Sequence, residues 1–208
     1  MIGRKKLLVE GIDDEHVLKH LCGACNGPVF DEFRKSDGIE KLLELLPVFL
    51  KASNEGDVVA VIVDADTDLD ARWDALRNRL ERLGYTVPDT PDPSGTIIEP
   101  PTGSFFPRVG LWLMPNNTLP GILEDFLTFL VPPDSALFRH ACSSVDGIPE
   151  NEIRFAPLMR PKALLHTWLA WQEEPGKPLG TAIKARFLDP HAPEAGELID
   201  WLNRLYAV

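Results

Sequence analysis

Residues 57–66 read DVVAVIVDAD. The apolar part, Val58 to Val63, is mostly β-branched and does not alternate with polar residues. A strand that is apolar on both faces must be covered on both, as a central strand of a parallel sheet is. Asp57 to Val63 is therefore the clearest strand, and it ends at Asp64-Ala65-Asp66. Upstream, Lys6 to Glu10 (KLLVE) reads as a second short buried strand, broken by Gly11. Asp13 or Asp14 can then cap a helix with Val17, Leu18, Leu21 and Cys22 on one face. Pro28 to Phe33 suits a further strand. Ser36 or Asp37 suits the cap of a helix carrying Ile39, Leu42, Leu43, Leu46, Phe49 and Leu50, with Pro47 as a kink point.

Downstream of the Asp-Ala-Asp turn, Leu69, Trp73, Leu76, Leu80 and Leu83 fall on one helical stripe that Gly84 stops. Residues 86–107 are rich in Pro, Gly, Thr and Ser and read as an extended loop with one short strand, Thr96 to Glu99. Arg108 to Met114 (RVGLWLM) is a strand again, and a turn over Pro115 to Pro120 leads to a helix from about Gly121 to Leu130. Alternating strands and helices predict βαβ units and an α/β fold with a mainly parallel sheet flanked by helices. Beyond residue 130 the pattern becomes helical, over 134–143, 161–173, 181–188 and 194–206. The expected organisation is a core over 1–130 and a helical C-terminal portion over 131–208 packed on it as one unit.

The chain has 208 residues, 44% hydrophobic and 25% charged, with a formal net charge of -11. These proportions suit a globular core, and the acidic balance argues against a protein that coats nucleic acid with a basic face. Clustered carboxylates repel one another unless a cation sits among them, so local acidity can mark a metal site. Surface acidity for solubility is the alternative. Cys22, Cys25 and Cys142 make no disulfide framework. Cys22-Gly23-Ala24-Cys25 closes a helix where a redox motif should open one, so buried structural cysteines are the default. The apolar run near the N-terminus is too short for a signal peptide and no run reaches bilayer-spanning length, which gives a cytoplasmic protein with no membrane contact as the expectation. No phosphate-binding P-loop and no Gly-x-Ser-x-Gly elbow occur in the sequence.

Glu10 ends the first strand, Asp64 and Asp66 end the central one, and Glu124 and Asp125 follow the RVGLWLM strand by a short loop. Strand ends in a parallel sheet share one edge, where open α/β sheets bind ligands. Asp64 and Asp66 are two apart and would point the same way in extended backbone. Mg²⁺ takes one or two carboxylates and keeps several waters, leaving room for a phosphate. The alternatives are Asp64 as only a helix cap, which its pairing with the upstream VEGIDD stretch makes the lesser reading, Asp68 as a further ligand or a cap, and Glu124 with Asp125 as favourable charge in a helix's first turn. Lys162, near a helix start where a cation is not favoured, is a site cation or a surface lysine. Trp168 and Trp171 suit core packing or a partner-binding face.

LLVEGIDDEHVL (7–18) resembles the first motif of the Toprim family, a hydrophobic strand ending in Val-Glu-Gly, and VVAVIVDADTD (58–68) resembles the second, a strand ending in Asp-x-Asp. VEGIDDEHVL, VIVDADTDLDARW, GLWLMPNNTLPGILEDFL and KALLHTWLAWQEEPGKPLGTAI together are similar to a small family of stand-alone, functionally uncharacterised Toprim-like proteins. The resemblance implies that Glu10 does acid/base work or ligates, and that Asp64 and Asp66 hold Mg²⁺ or Mn²⁺. The OLD-type nucleases, also Toprim proteins, carry further residues whose counterparts here are Asp14, Glu124 and Lys162. Thr67-Asp68-Leu69-Asp70 departs from the usual continuation after Asp-x-Asp, and neither a DNA-binding module nor the ATPase domain of OLD-type proteins is present in the sequence. The function that the resemblance implies is a Mg²⁺-dependent phosphoryl transfer, by a nuclease acting on nucleic acid with an ATPase partner delivering substrate. The alternative is a non-catalytic interaction or regulatory module on the same scaffold, acting as a homodimer.

Overall fold

The structure, a computed structural model, describes residues 3–207. The elements in chain order are β1 (Lys5–Val9), α1 (Ile12–Ala24), β2 (Glu32–Lys35), α2 (Ile39–Lys51), β3 (Val58–Asp64), α3 (Leu69–Glu81), β4 (Thr96–Ile98), β5 (Arg108–Met114), α4 (Leu123–Phe129), α5 (Ala136–Asp146), α6 (Arg160–Ala170), α7 (Leu179–Lys184) and α8 (Pro193–Tyr206). The five strands form one sheet in the order β2-β1-β3-β5-β4. β2, β1, β3 and β5 are parallel, and β4 runs antiparallel on the edge of β5. The fold is thus α/β, with a mainly parallel sheet between two helical layers.

The continuous apolar run of β3 is explained by two-sided burial. Val58, Ala60 and Ile62 belong to the core that holds α1 and the C-terminal helices, while Val59, Val61 and Val63 belong to the core under α2 and α3. All six are buried. Full burial of the Val and Ile side chains is worth roughly 1.5–3 kcal/mol each, so β3, with β1 and β5 beside it, anchors both layers.

The C-terminal helices share a core with the sheet. The Tyr206 hydroxyl donates to the Lys6 carbonyl at 2.5 Å and accepts from the Ala60 amide at 3.3 Å, fixing α8 against the β1–β3 ladder. Gly110 makes the approach possible, because a Cβ there would lie 2.4 Å from Leu205 Cδ2. At the other end of the strands, Asp57 accepts from Lys6 Nζ at 2.8 Å and from the amides of Arg4 and Asn54 at 2.9 Å each. Burial pushes the Asp57 carboxyl up, but these donors outweigh it and hold the group below the usual carboxylate range.

Three local expectations change. The second strand lies at Glu32–Lys35 rather than 28–33, since β1 pairs with Glu32 onward. Val29 stands in solvent at 84% exposure, and Phe30 packs edge-on against Phe33 and Tyr206 instead of joining the sheet. The caps of α1 and α2 are Gly11 and Gly38, not Asp13, Asp14, Ser36 or Asp37. Gly38 takes φ 111°, open only to glycine at low cost. Pro47 sits within a continuous α2. Trp168 is buried, whereas Trp171 is 41% exposed and stacks on His140. Among the described residues no helix is long and apolar enough to cross a membrane.

Two glycines give a paired test. A Cβ on Gly180 in α7 would lie 2.7 Å from the His16 carbonyl oxygen of α1, whereas one on Gly196 in α8 would meet nothing within 4 Å. Gly180→Ala should destabilise by about 1–3 kcal/mol through overpacking. Gly196→Ala should stabilise by up to about 1 kcal/mol through helix propensity. Urea unfolding of both variants checks the pair, and equal effects would show that α1 and α7 are not in close contact.

Candidate functional site

The strand order fixes where a ligand crevice can lie. From β1 the chain crosses to β2 on one side, whereas from β3 it runs through α3 and the edge strand β4 to β5 on the other. A sheet with connections diverging in this way leaves a crevice outside the carboxyl ends of the two strands at the switch point. Here those strands are β1 and β3. Glu10 is the residue after β1, and Asp64 is the last residue of β3.

The two are joined directly, since Glu10 Oε1 accepts from the Asp64 amide at 2.8 Å. Asp64 Oδ1 in turn accepts from the Leu123 amide at 2.8 Å, tying β3 to the start of α4. Asp14 stands in the first turn of α1, 7% exposed, and its Oδ2 accepts from the Gly11 amide at 3.0 Å. Glu124, 4% exposed in the first turn of α4, pairs with Lys162 Nζ of α6 at 3.0 Å. The structure therefore brings Glu10, Asp14, Asp64, Glu124 and Lys162 to one edge.

These carboxylates are short of counter-charge. Burial pushes the Asp14 carboxyl up to about 7, and the charge of Glu10 adds to the effect. Burial, followed by the charges of Asp14, Glu10 and Glu124, holds Asp64 well above the usual carboxylate range. Glu10 is raised by burial, against the opposing pull of the Asp64 amide and of Arg72. Among the described residues none of these three forms an ion pair. Burial works against the charge of Lys162, but Glu124, with Asp13 and Asp64, more than offsets it and holds the ammonium above the ordinary lysine range. Charges withdrawn from water and lacking partners are held by protonation or by an added cation.

Asp66 differs from its expected geometry. Its φ is 54°, so the backbone is left-handed and the rule that residues two apart point the same way does not apply. The Asp66 amide donates to the Gly121 carbonyl at 2.9 Å, and its carboxylate is ion-paired with Arg72 of α3. Asp68 is the N-cap of α3, accepting from the Ala71 amide at 2.9 Å. Asp125 caps α4 through the Ile122 amide at 2.9 Å, and burial raises its carboxyl. A cleft of about 230 Å³ lined by Ala65, Asp66, Thr67, Asp68, Ala71 and Arg72 opens beside Asp66. Sequence reasoning missed Arg72, although it is the only basic residue in the segment 64–76. Among the described residues no three acidic, histidine or cysteine side chains close into a ready-made ligand shell. Cys22 is buried and its thiol is pushed up to about 12 by burial, so it does not ionise near neutrality. Cys25 donates to the Pro190 carbonyl at 2.9 Å.

The raised carboxyls set a sign for the pH dependence of the metal-free protein. Asp14 shifts from 3.8 to about 7 on folding, so between those values the native state holds the proton that the unfolded chain has lost. Stability is then greatest near pH 4 and falls as pH rises to about 7, by about 2–4 kcal/mol for this group. Asp14→Asn keeps an oxygen for the Gly11 amide and should flatten the slope. Thermal unfolding between pH 4.5 and 7.5 with chelator checks this, and an unchanged slope would show that Asp14 is ordinarily ionised.

Comparison with curated proteins and with solved structures finds no match. A family model described as protein of unknown function (DUF3226) matches residues 4–207, nearly the whole sequence, and the chain belongs to that family.

Proposed function

We propose that the chain is a Toprim-type, divalent-cation-dependent phosphoryl-transfer protein, acting as a nuclease on nucleic acid. The observation that carries this reading is that Glu10, Asp14 and Asp64 gather at the switch point, partly or wholly buried and without ion-pair partners among the described residues. Such a set fits a hard cation that prefers carboxylate oxygens and water. Asp64, Glu10 and Asp14 would hold Mg²⁺ or Mn²⁺, with Asp66 and Glu124 alongside. When bound, the cation would stabilise charge on a phosphoryl oxygen and lower the pKa of a water.

The protein's own groups take the remaining roles. Glu10, whose carboxyl burial raises above the ordinary glutamate range, would exchange a proton at its Oε2, since Oε1 is engaged by the Asp64 amide. The Lys162 ammonium, held charged beside Glu124, would face a phosphate oxygen of the substrate. The net charge of -11 opposes binding of nucleic acid over a broad surface. That supports delivery of substrate by a basic or ATP-driven partner protein. A non-catalytic scaffold is the second reading, favoured by the ion pair that engages Asp66 with Arg72.

Calorimetric titration with Mg²⁺ or Mn²⁺ tests the site. Wild type should bind, and Asp64→Asn/Asp66→Asn should lose at least 10-fold in affinity. In a cleavage assay with single- and double-stranded nucleic acid, Glu10→Gln should lose roughly 10²–10⁴-fold in rate with the fold intact. Cation binding without any cleavage, with or without a partner, would favour the scaffold reading. No cation binding by wild type would end both the metal assignment and the nuclease reading.

A further inference from the structure

We propose that Arg72 is a phosphate anchor held in reserve by Asp66: cation uptake at Asp66 releases the guanidinium, which then grips a phosphate of the ligand in the adjoining cleft. The proposal deepens the phosphoryl-transfer reading and rests on it.

Arg72 lies in the fourth position of α3, and its side chain is 13% exposed. A guanidinium has five N–H donors in a fixed fork. Arg72 is engaged by Asp66 through Nη2. Its Nε is fully buried and has no hydrogen-bond partner among the described residues. A buried donor left unpaired is costly, and once the side chain swings out of its pair with Asp66, a tetrahedral oxyanion meeting Nε and one Nη together would satisfy it. The space for such a group exists, because Arg72 and Asp66 line the same cleft of about 230 Å³ with Thr67, Asp68 and Ala71.

The geometry of Asp66 makes the exchange local. Its left-handed backbone is tied by the hydrogen bond from its amide to the Gly121 carbonyl, so the exchange requires the carboxylate to turn and not the chain. A cation bound at the Asp66 carboxylate therefore competes with Arg72 for Asp66 Oδ2, the oxygen that carries the ion pair. Cation uptake and release of the guanidinium are linked, and phosphate binds second. An arginine serving only to hold the start of α3 would show no such link.

The test is calorimetry with Mg²⁺ alone, and then with inorganic phosphate on the Mg²⁺-loaded protein, for wild type, Arg72→Gln and Arg72→Lys. Arg72→Gln should bind Mg²⁺ about 3–10-fold more tightly, because the competitor is gone, and phosphate at least 10-fold more weakly. Arg72→Lys should keep Mg²⁺ affinity near wild type while losing several-fold for phosphate, since the charge remains and the fork is lost. If Arg72→Gln does not fold, Arg72→Lys decides, and wild-type phosphate affinity in that variant overturns the proposal. Mg²⁺ uptake with phosphate binding that ignores Arg72 overturns this proposal alone. No Mg²⁺ uptake by wild type overturns the phosphoryl-transfer reading and this proposal with it.

Discussion

Charge withdrawn from water must be matched, and the sheet meets this constraint in opposite ways at its two ends. At the N-terminal ends of β1 and β3, Asp57 and Lys6 are both buried, and Asp57 collects a lysine and two amides. The donors there outweigh the desolvation, and the carboxyl is held down. At the C-terminal ends of the same strands, Glu10, Asp14 and Asp64 collect one amide each, and desolvation dominates. One end is a satisfied fastening and the other holds a deficit of positive charge. Such a deficit is destabilising unless something arrives to fill it, and perturbed carboxyls of this kind concentrate at functional sites.

The deficit is organised by secondary structure. Each carboxylate is seated by an amide that the fold leaves free at a strand end or a helix start. Gly11 ends β1's run and opens α1, so its amide is available to Asp14. Leu123 begins α4, and its amide reaches Asp64 across the sheet edge. Helix starts tolerate negative charge better than other places, which lowers the cost of holding Asp14 at the start of the 13-residue α1. Among the described residues the cations paired in this cluster are Arg72, at Asp66, and Lys162, at Glu124.

β3 and β5 were legible because an apolar run of that length leaves a chain few other options, and Arg108–Met114 has the expected bounds. Glu10 and Asp64 followed from the same logic, since a polar residue ending a buried strand must emerge at the sheet edge. What could not be read depended on partners remote in sequence or on backbone sign. Nothing local in Asp64-Ala65-Asp66 announces that Asp66 turns left-handed, because the Gly121 carbonyl that accepts its amide is supplied by another loop. The second strand was displaced because Val29 and Phe30 look like strand residues, yet the register on β1 begins at Glu32. Gly38 and Gly11 took caps that side-chain preference gives to Ser or Asp, since the chain must turn sharply out of the sheet there.

The two cations come from opposite layers. Arg72 is carried by α3, which packs in the core with α2, and Lys162 by α6, which packs in the core with α1, α4 and α8. The acidic cluster is thus held between the layers on the two faces of the sheet, and β1, β3 and β5 each contribute to both cores. That gives the C-terminal helices a chemical role beside their packing role. Without α6, Glu124 would be a buried carboxylate with no counter-ion beside three others already short of one. The sheet edge would then repel itself more strongly at neutral pH, and the cluster would lose one of the two positive charges paired in it.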